Sequence, residues 1–341
     1  MKFRSDPSQI RGALAPVFTP FTAGGEVDHD TLRRMVRWQL ANGSKGVSIG
    51  GSTGEPSAQS IAERAEAIRT VAQEVGDSVP FLPGTGSAQL EETLELTSIA
   101  RDAGADMALI ITPYYARPTQ EALYVWYSTV AKEFPDLPIV AYNVPVRTAV
   151  DLAPETFARL FRDHDNIVGI KETTKDFEHF SRTMYLCGQE ALMWSGIELL
   201  CLPLIPLGGA GFISALSNIA PAAVAETYDA AIAGDWDRAR QLHYGVHPLV
   251  DLIFAETNPA SAKWLMAQRG LIASDHVRPP LITLTDDGQR RVRDLAAQAE
   301  QYLTPVADQY RADQHPADQH SANQDRADQH RADPHRTAEG V

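Results

Sequence analysis

The chain has 341 residues, 44% apolar and 22% charged, with 30 basic against 44 acidic side chains and a formal net charge of −14. That length suits one large α/β domain or two ordinary ones, and the apolar fraction excludes global disorder. A polyphosphate needs a basic face, so the acidic balance argues against nucleic acid, yet two or three local donors could still hold a small carboxylate.

From the N-terminus, short β-rich apolar runs alternate with amphipathic stretches. The strand expectations are residues 13–18, 46–49, 79–83, 107–111, 139–142, 167–171, 192–195 and 211–214. Helical patterns between them include 30–41, 58–75, 90–103, 120–133 and 154–161, with punctuation at Asn42-Gly43, Gly76-Asp77, Ala103-Gly104 and Leu207-Gly208-Gly209. Eight such units predict a (β/α)8 TIM barrel over 1–218. A doubly wound sheet usually opens with a glycine-rich phosphate loop, and Thr19-Pro20-Phe21 stands there instead. Beyond the eighth strand the patterns at 222–233, 236–253, 259–268 and 287–303 predict a C-terminal helical appendage, 219–303, packed on the barrel.

Residues 304–341 read differently. From Ala307 six imperfect pentapeptides run ADQYR, ADQHP, ADQHS, ANQDR, ADQHR, ADPHR, and no Leu, Ile, Phe, Met, Trp or Cys follows Leu303. Such a segment cannot bury a core and is expected to be a disordered, solvated tail. Its histidines, His315, His320, His330 and His335, recur at a spacing that turns about 140° per step on a helix, so they share no face for a metal. Cys187 and Cys201 show neither a CxxC nor a Cys/His pattern, which offers no disulfide framework or zinc site. The start, MKFRSDPSQIRG, lacks a signal peptide's apolar stretch, and no segment reaches the length of a membrane span, so a cytoplasmic protein without a membrane partner is expected.

A barrel of this kind carries its active site at the C-terminal ends of the strands. Those positions hold Gly50-Gly51-Ser52-Thr53-Gly54-Glu55, Thr112-Pro113-Tyr114-Tyr115, Tyr142-Asn143, Lys171-Glu172 and Ser195-Gly196. No histidine and no carboxylate cluster converges there, which disfavours metal-assisted hydrolysis and a Ser-His-Asp triad. Of six lysines only Lys171 directly continues an apolar run, Ile167-Val168-Gly169-Ile170. At the barrel mouth, desolvation favours the neutral amine that attacks a carbonyl; the alternative is a strand-end lysine paired with an acid such as Glu172. Ser52-Thr53-Gly54 offers hydroxyls and backbone N–H groups to a carboxylate, or is an ordinary turn. Tyr142 suits a proton shuttle, or fills the mouth of the barrel. Arg147 could bind a second carboxylate, or lie on the surface.

Taken together, these residues resemble the pyruvate-dependent class I aldolases, the family of dihydrodipicolinate synthase and N-acetylneuraminate lyase. The resemblance runs from about Gly12 to Gly288. It rests on Gly51-Ser52-Thr53-Gly54-Glu55, on Thr112-Pro113-Tyr114-Tyr115 with Arg117-Pro118, on Tyr142-Asn143-Val144-Pro145 with Arg147-Thr148, and on Gly169-Ile170-Lys171-Glu172. It implies a Schiff base between Lys171 and pyruvate, with Ser52 and Thr53 on the pyruvate carboxylate and Tyr142 as general acid/base. It further implies a proton relay of Ser52, Tyr142 and Tyr115, the last supplied by an adjacent subunit of a homodimer or homotetramer. Gly196 and Ile213 match positions lining the pyruvate pocket, and no cofactor is implied.

Arg147 and Glu256-Thr257-Asn258-Pro259 followed by Lys263 resemble the synthase branch, in which Arg147 would bind the carboxylate of aspartate semialdehyde. Gly50 to Glu55 with Gln59-Ser60 and Glu63-Arg64 is more similar to the lyase. Glu172-Thr173-Thr174-Lys175-Asp176 and Ser195-Gly196-Ile197-Glu198 depart from the synthase pattern near the aldehyde end. The expectation is therefore a 4-hydroxy-tetrahydrodipicolinate synthase, with a catabolic 2-oxo acid aldolase or lyase, or a dehydratase using the same imine, as the alternatives. A non-catalytic sensor of 2-oxo acids would be expected to have lost the lysine, the tyrosine or the carboxylate loop. Pro56, Ile61 and Arg64 stand where lysine-inhibited relatives carry Ser and His, which implies no strong lysine feedback.

Overall fold

The computed structural model describes residues 3–312. Seven parallel strands, β1 (Gly12–Pro16), β2 (Gly46–Ser48), β3 (Ala108–Ile111), β4 (Ile139–Asn143), β5 (Ile167–Glu172), β6 (Leu192–Ser195) and β7 (Gly211–Ile213), pair in the order β2-β1-β7-β6-β5-β4-β3. The expected strand at 79–83 supplies the closure between the two ends of that order. It is reduced to single bridges, Val47 to Phe81 and Gly84 to Leu109. The backbone bonds from Val47 N to Pro80 O (3.0 Å), Leu82 N to Val47 O (2.9 Å) and Leu109 N to Pro83 O (2.9 Å) nonetheless join it to both neighbours. Pro80 and Pro83 have no N–H to give, so a continuous ladder cannot form, although the eight-strand ring is complete.

Side chains alternate across this wall as the two-residue period of a strand requires. In β4, Ile139 and Ala141 join the cluster beneath the outer helices, whereas Val140 and Tyr142 point into the barrel with Leu14, Leu82, Leu109, Trp194 and Ile213. Between β4 and β5 the register shifts: Ile139 pairs with Ile167 but Val140 pairs with Gly169, leaving Val168 as the extra residue. This bulge re-phases the strand so that Lys171 lies beside Tyr142, both inward, and Glu172 beside Asn143, both outward. Gly169 is required there, because a Cβ at that position would stand 2.1 Å from Leu192 O.

A helix follows each strand or the closing segment: His29–Ala41, Ile61–Val75, Leu90–Asp102, Gln120–Glu133, Pro154–Asp163, Phe177–Leu186, the short Glu198–Leu204 and Pro221–Ile232. The last of these was expected in the appendage. It packs against β1 and completes the ring, because the seventh helix is only one proline-containing run of seven residues. The remaining appendage is Trp236–Gly245, His247–Ile253, Ala260–Gln268 and Asp286–Gln298. The single helix expected over 236–253 is two, divided at Val246 ahead of Pro248. Leu249, Leu252, Met266 and Val292 share one buried cluster with Leu32, Val36 and Trp38 of the first barrel helix, so barrel and appendage have a continuous core.

Nor does residue 304 begin a detached segment. Thr304 N bonds to Ile219 O at 3.1 Å, Pro305 O accepts from Trp38 Nε1 at 3.1 Å, and Ala312 N reaches Gly270 O at 2.7 Å. These bonds carry the chain as far as residue 312; the rest of the expected tail, with its four histidines, lies outside the described residues. Among the described residues no helix is long and apolar enough to cross a membrane.

Candidate active site

The strand ends deliver the expected residues to one cavity of about 90 Å³. Ser52, Thr53, Tyr142, Arg147, Lys171, Gly196 and Ile213 all line it. Lys171, 6% exposed, holds its Nζ 4.3 Å from the centre of the Tyr142 ring. The Tyr142 hydroxyl in turn lies 3.4 Å from Ser52 Oγ. An amine, a phenol and an aliphatic hydroxyl thus stand in sequence around a pocket sheltered from solvent. Gly196 is part of the design, since a Cβ there would come within 2.7 Å of Lys171 Cε and 2.3 Å of Thr173 Cγ2.

The pairing of Lys171 with Glu172 is not made. Consecutive strand residues face opposite sides, and Glu172 turns outward. It is fully buried, accepting from Asn143 Nδ2 at 3.0 Å and Thr174 N at 2.7 Å, with His179 Nδ1 at 3.3 Å. Asn143 Nδ2 also donates to Asp151, whose Oδ1 stands 3.5 Å from His179 Nε2. Burial raises the Glu172 carboxyl, against the charge of His179 and the hydrogen bonds from Asn143 and Thr174. Burial also opposes a charge on His179, but the Asp151 bond and the Glu172, Asp151 and Asp176 charges outweigh it and hold the imidazole above its ordinary value.

Ser52, Thr53 and Gly54 form one 3-10 turn after β2. Gly54 is the member that stands back: its N–H returns to Gly51 O at 2.8 Å and its carbonyl accepts from Thr19 Oγ1 and Gln59 Nε2. It supports the turn rather than facing the cavity. Below it, Glu55 adopts φ 55°, a conformation few side chains favour, and its carboxylate is held by Lys263 Nζ at 2.5 Å and Arg278 N at 2.9 Å. Both partners come from the appendage, as does Asn258, whose Nδ2 donates to Thr53 Oγ1 at 3.0 Å.

Arg147 sits on a one-turn helix, Pro145–Thr148, just past β4, and its Nη2 reaches Asn258 O at 3.4 Å. It also borders a second cavity of about 210 Å³ shared with Ser52, Tyr142, Arg64 and Tyr114. Tyr115 does not meet Ser52 or Tyr142 within the chain; it is 94% exposed on backbone at φ 74°. Asn258 and Glu198 are among the further side chains that line the Lys171 cavity without having been singled out as site residues. Glu198 accepts from Ser214 Oγ at 3.2 Å and Ala215 N at 3.0 Å, and burial pushes its carboxyl up. Both stood in motifs the sequence reading had marked, but neither sequence position shows a path into the barrel. Among the described residues no group of three or more His, Cys, Asp or Glu is placed to hold a metal.

The profile of the dihydrodipicolinate synthetase family matches residues 9–299. A 4-hydroxy-tetrahydrodipicolinate synthase of Thermus thermophilus is 43% identical over 287 residues, covering 84% of this chain and 95% of its own. The Syntrophobacter fumaroxidans enzyme of the same name is 43% identical over 289 residues, covering 84% and 98%. Among solved structures, dihydrodipicolinate synthase from Aquifex aeolicus superposes with a TM-score of 0.82 at 33% identity, covering 86% of this chain and 99% of that one. The chloride-inhibited enzyme of Acinetobacter baumannii, solved with pyruvate, gives 0.82 at 36% identity over the same shares.

Proposed function

Because the chain belongs to the dihydrodipicolinate synthetase family, we propose that it condenses pyruvate with aspartate semialdehyde as a 4-hydroxy-tetrahydrodipicolinate synthase, through an imine on Lys171. The observation that carries this reading is the inward register pair of Lys171 and Tyr142, with Ser52 Oγ beside the phenol. The Lys171 amine attacks the ketone of pyruvate, and loss of one water leaves the imine. Thr53 and Ser52 hold the carboxylate. Tyr142, relaying through Ser52, takes a methyl proton, and the electron pair moves into the enamine. The enamine carbon then bonds to the aldehyde carbon, whose oxygen receives a proton. The substrate's own amine displaces Lys171 from the imine carbon, closing the ring and freeing the enzyme. The protonated imine is the electron sink, so the sequence of steps calls for no metal or organic cofactor.

In this reading Arg147 holds the carboxylate of the aldehyde at the outer end of the cavity. Tyr115 completes the proton relay from a second copy of the chain, which supports a homodimer or homotetramer. Its exposed ring and the side chain of Val146, 87% exposed, are the apolar surface such a copy would cover. The place of action is the cytoplasm.

The test is condensation of pyruvate with aspartate semialdehyde, followed by absorbance of the cyclic product, alongside borohydride trapping of pyruvate. Wild-type protein is expected to turn over and to trap pyruvate on Lys171, and Lys171→Ala to do neither. Trapping without turnover would mean that the imine serves another aldehyde, as in a catabolic aldolase.

A further inference from the structure

Asn258 lies on the turn before helix Ala260–Gln268, outside the barrel in sequence, yet its side chain lines the Lys171 cavity and is 6% exposed. Its amide atoms have different fates. Nδ2 donates to Thr53 Oγ1, whereas Oδ1 is buried without a hydrogen-bond partner. This orientation of the amide is the one the site needs. With Thr53 Oγ1 accepting from Asn258, the threonine proton is free for a carboxylate; a reversed amide would take that proton for itself. What remains is a buried acceptor that is costly until a donor reaches it. The backbone oxygen of Asn258 meanwhile accepts from Arg147, so one residue touches the groups assigned to both substrate carboxylates.

Pyruvate brings no hydrogen-bond donor. Aspartate semialdehyde brings its α-amino group, on the carbon that also carries the carboxylate. Holding that carboxylate at Arg147 therefore sets the amine beside the residue to which Arg147 is tied. We infer that Asn258 Oδ1 accepts a hydrogen bond from the α-amino group of the second substrate, making Asn258 the residue that selects an amine-bearing aldehyde over one without. The inference rests on the synthase reading above. The same contact places the nitrogen that closes the ring.

The experiment uses the full chain and two aldehydes, aspartate semialdehyde and its des-amino analogue succinate semialdehyde, with carbon–carbon bond formation followed by mass spectrometry. Asn258→Leu is expected to raise KM for aspartate semialdehyde about tenfold to hundredfold more than KM for the analogue, beyond any loss that both reactions share through the Thr53 contact. Borohydride should still trap pyruvate on Lys171 in this variant. Asn258→Asp keeps an acceptor oxygen but loses the donor to Thr53, so it should retain the preference at a lower overall rate; Asn258→Ala replaces the leucine variant if that one does not fold. Equal rises in both KM values, or no rise for aspartate semialdehyde, would overturn the inference and leave the synthase reading standing. So would equal use of both aldehydes by the wild type. Pyruvate trapping without any turnover of aspartate semialdehyde by the wild type would overturn the synthase reading and this inference with it.

Discussion

At the scale of single residues, the chemistry rests on direction as much as on identity. Lys171 and Glu172 are neighbours in sequence, yet one faces the cavity and the other the buried side chains of Asn143 and His179, with the exposed Asp151 bonded to Asn143 beyond them. Tyr142→Phe removes the hydroxyl proposed to carry the proton but keeps the ring against Lys171, so kcat is expected to fall about 10²- to 10⁴-fold with the fold intact, measured by the condensation assay and by circular dichroism. Arg64 carries a further prediction. Its guanidinium is 6% exposed, donates to Gly84 O and Gly86 O, and has no acidic partner among the described ion pairs, while it borders the larger cavity. A cationic amino acid entering there would meet like charge, so millimolar lysine is expected to leave the condensation rate unchanged. Inhibition at that concentration would refute this. Lys171, Tyr142, Ser52, Thr53 and Gly196 were legible as strand-end residues because a barrel gathers its strand ends at one face, Arg147 stood five residues beyond Tyr142, and Ile213 was named only through the family resemblance. Gly54 was read one layer too far forward, since a glycine in a turn looks the same in sequence whether its N–H is free or already returned to Gly51.

At the scale of elements, the appendage braces the turn Ser52-Thr53-Gly54 and the Glu55 that follows it. Lys263 and Glu55 form an ion pair with side chains 0% and 2% exposed, and Lys263 also donates to His276 O at 2.9 Å. Removing one partner leaves the other charge buried, so Lys263→Met is expected to cost about 3–5 kcal/mol in chemical denaturation. A kinetic trace of the same change should appear in KM for pyruvate, because Glu55 adjoins the Thr53 turn. The helix Ile61–Val75 is tied down at its N-terminus by a second device, a capping box of Ser60 and Glu63 to which Arg278 adds a salt bridge at 2.5 Å. The Arg278 bond lowers the Glu63 carboxyl from 4.5 to about 2. A folded-state value below the unfolded one means stability that is complete above about pH 4.5 and is lost as pH falls toward 2. Glu63→Gln should therefore be less stable than wild type at pH 7, with the difference shrinking through that window; a difference independent of pH would count against it. The closing segment at 79–83 shows a limit of reading elements from sequence. Its apolar residues announce a strand, whereas Pro80 and Pro83 reduce the ladder to single bridges without opening the ring.

At the scale of the whole molecule, the described chain brings Lys171, Tyr142, Ser52, Thr53 and Arg147 of the proposed site to one cavity and leaves Tyr115 turned to solvent. Sedimentation is expected to show a dimer or tetramer, and Tyr115→Phe to lower kcat without releasing pyruvate from Lys171. A monomer with full activity would rule this out. The amino-acid sequence by itself determined the barrel, through its eightfold alternation of apolar runs and amphipathic stretches, and it determined which residue types stand at the strand ends. The tertiary structure alone decided which way those residues face, because a one-residue bulge at Val168 re-phases β5 and no local pattern encodes it. It likewise decided that residues more than two hundred positions away brace the loop, Asn258 on Thr53 and Lys263 on Glu55, for contacts between distant segments exist only once the core that carries them has closed.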